Sequence, residues 1–251
     1  MKILFLGPLL LIGLIGFSAA AQVEDGRYIA VQSGYGILSS NLSGAGFNSS
    51  LPGKGGILYG VDLSYQNQDS GTQYNLKYDK VAVDMTAPSG VTPTSISVFR
   101  EELRFGASIA PWDSGVFEHL RLGLGYAMLT TGGTDTSPNN VLTKQSSQGI
   151  FVSALYKMKI ETDWVILPEL LIYLPHQVKE SQQITGYNPK FIGYELKLST
   201  EYSLSDDIVG YVGISYRTDQ VSYDGLVNRG VTGGQDTRTL IAIPVGIKIG
   251  Y

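Results

Sequence analysis

A chain of 251 residues without a single cysteine can form no disulfide, no thiolate metal site and no cysteine-linked lipid anchor. Its formal net charge of −4, with no basic tract, leaves nucleic acid without an electrostatic footprint. Charged residues make up only 16% while Gly (31) and Tyr (16) are abundant, a bias toward strands and interface aromatics rather than helices.

Met1 and Lys2 precede an apolar run from Ile3 to Phe17 and the small residues Ser18, Ala19, Ala20 and Ala21. Residues 1–21 therefore read as a cleaved secretory signal peptide with its cleavage site before Gln22. The alternative is an N-terminal membrane anchor, but Gly7, Pro8, Gly13 and Gly16 interrupt the run. Residues 22–251 then form one domain, with no linker or low-complexity tract. Beyond the signal, no apolar run is long enough for a membrane-spanning helix.

From there, apolar/polar alternation and turn residues predict about ten strands, near 27–38, 55–67, 72–84, 95–108, 118–130, 148–160, 163–175, 190–204, 208–219 and 238–251. The connections 39–54, 85–94, 131–147, 176–189 and 220–237 are long and rich in Gly, Ser, Thr and Asn, whereas 68–71, 109–117, 161–162 and 205–207 are short. This arrangement fits an all-β fold, a transmembrane antiparallel up-and-down β-barrel. A soluble β-sandwich also alternates, but it does not require an apolar outer face on every strand.

The facing follows from the period of two. Ile57, Tyr59, Val61, Leu63 and Tyr65 point outward, as do Leu120, Leu122, Leu124, Tyr126 and Met128, and Ile192, Tyr194, Leu196, Leu198 and Tyr202. A charge at the bilayer midplane costs about 2–4 kcal/mol on the lipid face, so charges are expected inside. The rhythm breaks twice: near Asp79 and Lys80, between Tyr78 and Val81, and at the adjacent Glu101 and Glu102. A β-bulge at either place would reset the faces. Pro168 and Pro244, which lack a ladder donor, predict further irregularities.

Trp112 and Trp164 fall at short-turn ends, with Tyr202 and Tyr251 near the same level, as a membrane-interface girdle requires. The inward positions collect Asp62, Lys77, Asp79, Arg100, Glu102, Arg104, Arg121, Lys157, Lys159, Glu169, Glu195, Lys197, Glu201, Arg217 and Lys248. Two readings follow. Opposite charges can pair across a narrow interior as a salt-bridged plug. Alternatively, the excess of bases, chiefly Arg100, Arg104, Arg121, Lys157, Lys197 and Arg217, lines a narrow, mildly anion-preferring path.

The last strand alternates Ile241, Ile243, Val245, Ile247, Ile249 and Tyr251 with small or polar residues. With Gly246, Ile249 and Tyr251, it resembles the C-terminal assembly signal of bacterial outer-membrane proteins. The signal segment, the alternating strands and this terminus together resemble the broad class of small bacterial outer-membrane barrels over the whole mature chain. The resemblance implies a monomer in the outer membrane of a Gram-negative envelope, with periplasmic termini and extracellular long loops. Its partners would be membrane lipid, lipopolysaccharide and the barrel-assembly machinery.

Charge placement fits that orientation: Asp69, Asp113, Glu161, Asp163, Asp206 and Asp207 fall in short turns, and Lys54, Lys144, Lys179, Lys190 and Arg229 in long loops. A chance distribution of solvated charges would look the same.

Signals for an enzyme are thin. His119 and His176 fall at opposite ends, and no metal-ligand spacing, phosphate loop, nucleophile elbow or cofactor motif is present. In strand count the barrel is similar to the omptin surface proteases, which implies an acidic pair and a His-Asp pair at the outer rim. His176 stands at about that height, with Asp84, Asp135 or Asp224 as conceivable partners, but no matching motif accompanies them. The sequence reading is therefore a non-enzymatic envelope protein with a closed lumen, with the narrow channel as the alternative and a surface enzyme third. Polar loop stretches such as Asn41–Ser43, Asn48, Tyr187–Asn188 and Tyr223–Gly225 are left as candidate contact sites.

Overall fold

The structure, a computed structural model, describes residues 27–44, 47–67, 70–86, 95–133, 144–180, 186–224 and 234–251. The expected signal segment and Asp69, Asp135 and Arg229 lie outside the described residues.

Alternation written over most of the chain becomes β1 (Tyr28–Gly44), β2 (Phe47–Leu51), β3 (Gly53–Gln66), β4 (Gln73–Thr86), β5 (Ser95–Ile109) and β6 (Leu120–Gly133). There follow β7 (Gln145–Tyr156), β8 (Met158–Lys159), β9 (Trp164–Glu180), β10 (Lys190–Ser205), β11 (Ile208–Tyr223) and β12 (Gly234–Gly250). Each wall strand is antiparallel to its neighbours. The register Tyr28↔Gly250 through Gly44↔Gly234 zips β1 to β12 and closes the sheet. β2 pairs the far end of β1 before β3 takes over, and β8 prolongs the line of β7 against β9. The wall is thus a closed barrel of 10 strands with two short additions. Closure leaves no strand edge, which is the condition for backbone polar groups to survive in lipid.

The outward-facing residues predicted on β3, β6 and β10 are indeed on the surface, and they join Ile29, Val31, Phe105, Ile172, Ile214, Ile243 and Ile247 in an apolar belt. The short connections, with Arg27 and Tyr251, lie at one rim, where Tyr251 N donates to Arg27 O at 3.2 Å.

The strands run further than the sequence reading had them. β1, β9 and β12 are each 17 residues long, whereas a tilted strand crosses a bilayer in about 9–11. The connection expected at 39–54 is largely strand, with β1 continuing to Gly44 and turning back through β2.

The surplus stands beyond the belt at the long-connection end, and there the chemistry of the two faces is exchanged. Leu38, Leu51, Val81, Val83, Met85, Ile96 and Val98 are buried inside, while Ala82, Asp84, Ser95 and Ser97 face outward. This exchange corrects the expected bulges at Asp79–Lys80 and Glu101–Glu102, because the β4–β5 register is unbroken from Gln73↔Ser108 to Thr86↔Ser95. The strand keeps its phase while its surroundings change from lipid to water, so apolar residues move from the outer to the inner face. At the boundary Lys80 and Glu101 form an outward ion pair, with Lys80 Nζ 5.4 Å from the Phe99 ring centroid. Glu102, on the opposite face, points into the barrel.

Real bulges fall elsewhere. On β9 the register slips against both neighbours around Leu174 and Pro175, which are both exposed, so Tyr173 and His176 both face inward. A second bulge, on β3, lies at Lys54–Gly55. Gly55 has φ 83° and a Cβ there would collide with the Tyr35 hydroxyl, so glycine is required. The expected irregularities at the two prolines are local gaps. Pro168 lies across from the break between β7 and β8, and Pro244 lies in a stretch where β11 and β12 lack paired residues between Val212↔Val245 and Ser215↔Ala242.

Because the face exchange sets which side of β4 is core, Val83→Asp should destabilise the refolded protein by several kcal/mol, as an unpaired buried charge does. Ala82→Asp, one residue away, should stay within about 0.5 kcal/mol of the parent. Urea-unfolding midpoints check the pair, and equal losses would contradict the exchange.

Candidate functional site

Inward positions at mid-height bring one polar network together. Arg100, Glu102 and Arg104 come from alternate positions of β5, and Arg217 and Asp219 from alternate positions of β11. Four wall strands separate β5 from β11 in either direction, so their side chains meet across the lumen. Arg217 Nη1 pairs with Glu102 Oε2, Arg217 Nε donates to Asp219 Oδ1 at 3.0 Å, and Arg100 Nη2 pairs with the other oxygen of Asp219. Arg104 Nη1 reaches Glu195 Oε2 on β10 at 3.0 Å.

Tyr173 of β9, fully buried, is the hub. Its hydroxyl donates to Glu102 Oε1 at 3.0 Å and accepts from Arg217 Nη1 at 2.8 Å and Arg104 Nη1 at 3.0 Å. The Arg217 guanidinium also stacks on the Tyr173 ring, its Cζ 3.9 Å from the centroid.

The network continues through Asp79 of β4, which takes Lys77 at 3.0 Å, Arg104 at 3.6 Å and the Gln32 amide. Arg217 is 2% exposed and Arg100 3%, so water cannot solvate either guanidinium and the carboxylates must. Nearer the short-turn rim Lys248 pairs with Glu201, and Lys197 stands 3.6 Å from Glu169. Asp62 lies among Lys77, Lys248 and Lys197. Arg121 ties that rim together by donating to Gly71 O at 2.9 Å and Ser108 O at 3.2 Å.

Two corrections change the charge balance read from the sequence. Lys157 and Lys159 keep the inward register, Lys159 pairing with Val165, but they lie at the short-turn rim, where Lys159 is exposed, rather than in the network. Conversely, Asp219, Asp236 and Arg238 are buried inside the wall. Arg238 donates to Asp236 Oδ2 through Nε at 3.0 Å and Nη2 at 2.7 Å, and Ser40 donates to Asp236 Oδ1 at 3.0 Å.

Among the described residues the inward acids from Asp62 to Asp236 now match in number the inward bases other than Lys157 and Lys159, and Glu180 adds a further acid near the long-loop end. Asp219 and Arg238 are the end residues of the predicted strands 208–219 and 238–251, Asp236 lies just outside the second, and the hub Tyr173 carries no charge. Continuing the period of two would have found all four.

Apolar groups fill the lumen beyond the network. Leu38, Leu58, Val81 and Met85 pack on one side, and Leu129, Phe191, Val221 and Tyr223 on the other. A cavity of about 40 Å³ remains beside Arg217, and one of about 140 Å³ lies between the network and the short-turn rim.

The other predicted residues lie at the rims and the seam. Trp112 packs on Phe117 at 5.6 Å and Trp164 on Tyr202 at 4.9 Å between ring centroids, both beside short turns. Gly246 lies under the Tyr211 ring, Ile249 pairs with Ile29 and Ile208, and Tyr251 is exposed. The histidines are apart. His119 meets Glu118 at 3.0 Å at the exposed rim. His176 is buried, stacked on Phe191 at 4.5 Å, with Nε2 3.3 Å from Ile150 O. Asp84 bonds Ser97 on the outer face, and Asp224 takes Asn188 and Lys190, so neither serves His176. Among the described residues, no group of three His, Asp or Glu side chains could hold a metal.

No family model matches the chain, and no curated protein matches its sequence. Among solved structures, the outer membrane protease OmpT from Escherichia coli superposes with a TM-score of 0.60 at 9% identity, over 93% of this chain and 99% of that one. A FadL homologue from Pseudomonas aeruginosa gives 0.43 at 9% identity over 90% of each chain. The outer membrane protein OprG from the same organism gives 0.37 at 13% identity, over 92% of this chain and 100% of that one. The likeness to OmpT establishes the fold, that of the bacterial outer-membrane β-barrels, and at such identity nothing further.

Arg217→Met, which leaves Glu102 and Asp219 without a main partner, should cost about 3–5 kcal/mol of stability. Removing both charges in Arg217→Met with Glu102→Gln should cost less than Arg217→Met alone. Chemical denaturation of both variants checks the coupling, and a double variant no better than the single would show that the two charges are not partners.

Proposed function

We propose that the protein is a closed, non-enzymatic barrel of the outer membrane whose lumen is sealed by a salt-bridged network and whose long-loop end carries its contacts. The observation that supports this most directly is the Arg217–Glu102–Tyr173–Arg104–Glu195 network, which joins opposite walls at mid-height with its charges out of water. An ion would have to displace side chains that are one another's only solvation, and then pass the apolar packing beyond them. Against the anion-preferring path stand Asp219 and Asp236, buried acids that offset part of the excess of inward bases on which it rests.

Catalysis finds no support in the histidines. His176 lies between aromatic rings and a backbone carbonyl, and His119 pairs with a glutamate at the exposed rim. OmpT is a protease, but at 9% identity its activity does not carry over.

We place the short turns and both termini in the periplasm and the long loops outside. The Trp112 and Trp164 girdle at the short-turn rim and the signal-like N-terminus support this orientation. Lys54, Lys179 and Lys190, toward the other end, then face the anionic lipopolysaccharide surface. The barrel works as a monomer with lipid around its belt, and Gly246, Ile249 and Tyr251 mark the strand that the assembly machinery reads. Beyond the belt the wall rises with an apolar interior and a polar exterior, a rigid platform for loops that meet the outside.

Refolded protein in a planar bilayer should show no stable conductance steps, and regular steps with a reversal potential in a salt gradient would overturn the sealed lumen. Trypsin added to intact cells should cut in the long loops, at sites such as Lys144 or Arg229, and leave the short turns intact. Protection of those sites in intact cells, with cutting only after lysis, would reverse the orientation.

A further inference from the structure

The sealed-lumen reading makes no use of the larger cavity, the chamber of about 140 Å³ between the network and the short-turn rim. Its lining has two faces. Phe151 and Leu155 of β7 and Leu167 and Leu171 of β9 form an apolar wall, while Tyr28, Gln32, Asn75 and Tyr211 belong to a polar one. Five basic side chains line it together with Asp62, Glu169 and Glu201. Two of the five, Lys77 and Arg104, are turned to Asp79 and Glu195 of the network, which leaves Lys197 and Lys248 with their carboxylates Glu169 and Glu201 at the chamber itself.

Lys197 stands where the two faces meet. Glu169, its ladder partner, lies between Leu167 and Leu171 on the inner face of β9, and the ion pair is loose at 3.6 Å. The neighbouring bases are held more tightly: Lys77 lies 3.0 Å from Asp79, and Lys248 is in close contact with Glu201. Lys197 is therefore the base that can turn to a new acceptor at least cost to the existing pairs. Because the network closes the far side, anything entering from the rim meets a dead end.

We propose that this chamber binds a small amphipathic organic anion, a carboxylate on a single ring or a short alkyl chain. Its carboxylate would lie on Lys197 and its apolar body against Phe151, Leu155 and Leu167. The size agrees, since an apolar cavity of about 150 Å³ accommodates benzene. The division of the lining agrees too, as ligand sites combine an apolar surface with a few convergent polar groups. A bare inorganic anion would leave the apolar wall unused, and a neutral hydrocarbon would make no use of Lys197. The proposal rests on the sealed lumen, which makes the chamber a pocket rather than a stretch of pore.

The test is isothermal titration of the refolded full chain in lipid nanodiscs with benzoate, with toluene and chloride as comparisons and single-channel recording in parallel. Benzoate should bind one to one, at least about ten-fold tighter than chloride or toluene, and Lys197→Met should weaken it about ten-fold, the worth of one charge-assisted contact. Leu155→Ser, which alters the apolar wall and no charge, should weaken benzoate as well and serves if Lys197→Met does not refold. Equal binding of toluene would reduce the chamber to an apolar hole, equal binding of chloride to an ion site, and either result, or no binding by folded protein, overturns the proposal. Conductance steps would overturn the sealed lumen, and with it the dead end; silence without benzoate binding would overturn the ligand proposal alone.

Discussion

Arg217 lies 2% exposed at the centre of a wall whose outer face is apolar, so neither water nor a lipid headgroup can solvate its charge. The idealised cost of moving such an ion into a low-dielectric medium is on the order of 20 kcal/mol, and several kcal/mol remain after relaxation. The arrangement around it follows from that cost. Glu102 takes its Nη1 and Asp219 its Nε, Tyr173 offers both a hydroxyl and a ring face, and Arg104 shares the hub with Glu195 as its counter-charge. Ten strands enclose more space than the eight that side chains just fill. Long paired side chains occupy that space here, and they also tie opposite walls together.

A second constraint acts on the wall itself. Lipid demands an apolar outside, and water around the protruding end demands an apolar inside, so one strand must satisfy both along its length. β4 does so without shifting phase: Tyr74, Leu76 and Tyr78 are exposed in the belt, and Val81, Val83 and Met85 are buried beyond it. Lys80 and Glu101 occupy the crossing point, where a charge can still reach the headgroup level and where each neutralises the other. The same residues looked like a defect in the linear pattern, because a period of two with a changed environment and a period of two with an inserted residue produce the same string of letters. The inserted residue lies at Leu174–Pro175 instead, where the outward face passes from Leu170, Ile172 and Leu174 to Gln177 and Lys179.

Strand number, the outward sets on β3, β6 and β10 and the grouping of charges inside were legible because each depends only on parity along a strand. Pair identity was not legible. Nothing in the letters around Arg217 says that its partner is 115 residues away on the opposite wall, because that depends on barrel shear, which determines which levels face each other. Lys157 and Lys159 show the converse limit. Their parity is inward and the register is kept across the break, from Leu155↔Glu169 to Lys159↔Val165, but parity does not give height, and both lie at the short-turn end, below the network. Tyr173 was overlooked although its phase was correct, because a tyrosine in a barrel reads as an interface residue until its hydroxyl is found among two arginines and two carboxylates.

The two halves of the lumen solve the same problem by different means, and this difference bears on what the barrel can do. Toward the long loops the interior is packed by two apolar clusters around the Arg238–Asp236 pair, the construction of a soluble core, which makes that end stiff enough to present loops. Toward the short turns the walls carry lysines, glutamates and amides around open space, a construction that tolerates water and small solutes. The network stands between them, and Phe151 and Leu171 carry the apolar packing past it to the wall of the open half. A solute that entered the open half and drew Lys77 away from Asp79 would disturb the acid that also holds Arg104, and through Arg104 the Tyr173 hub. The ion pair of Lys197 is with Glu169, outside the hub, so a ligand held by Lys197 can come and go while the seal above it remains intact.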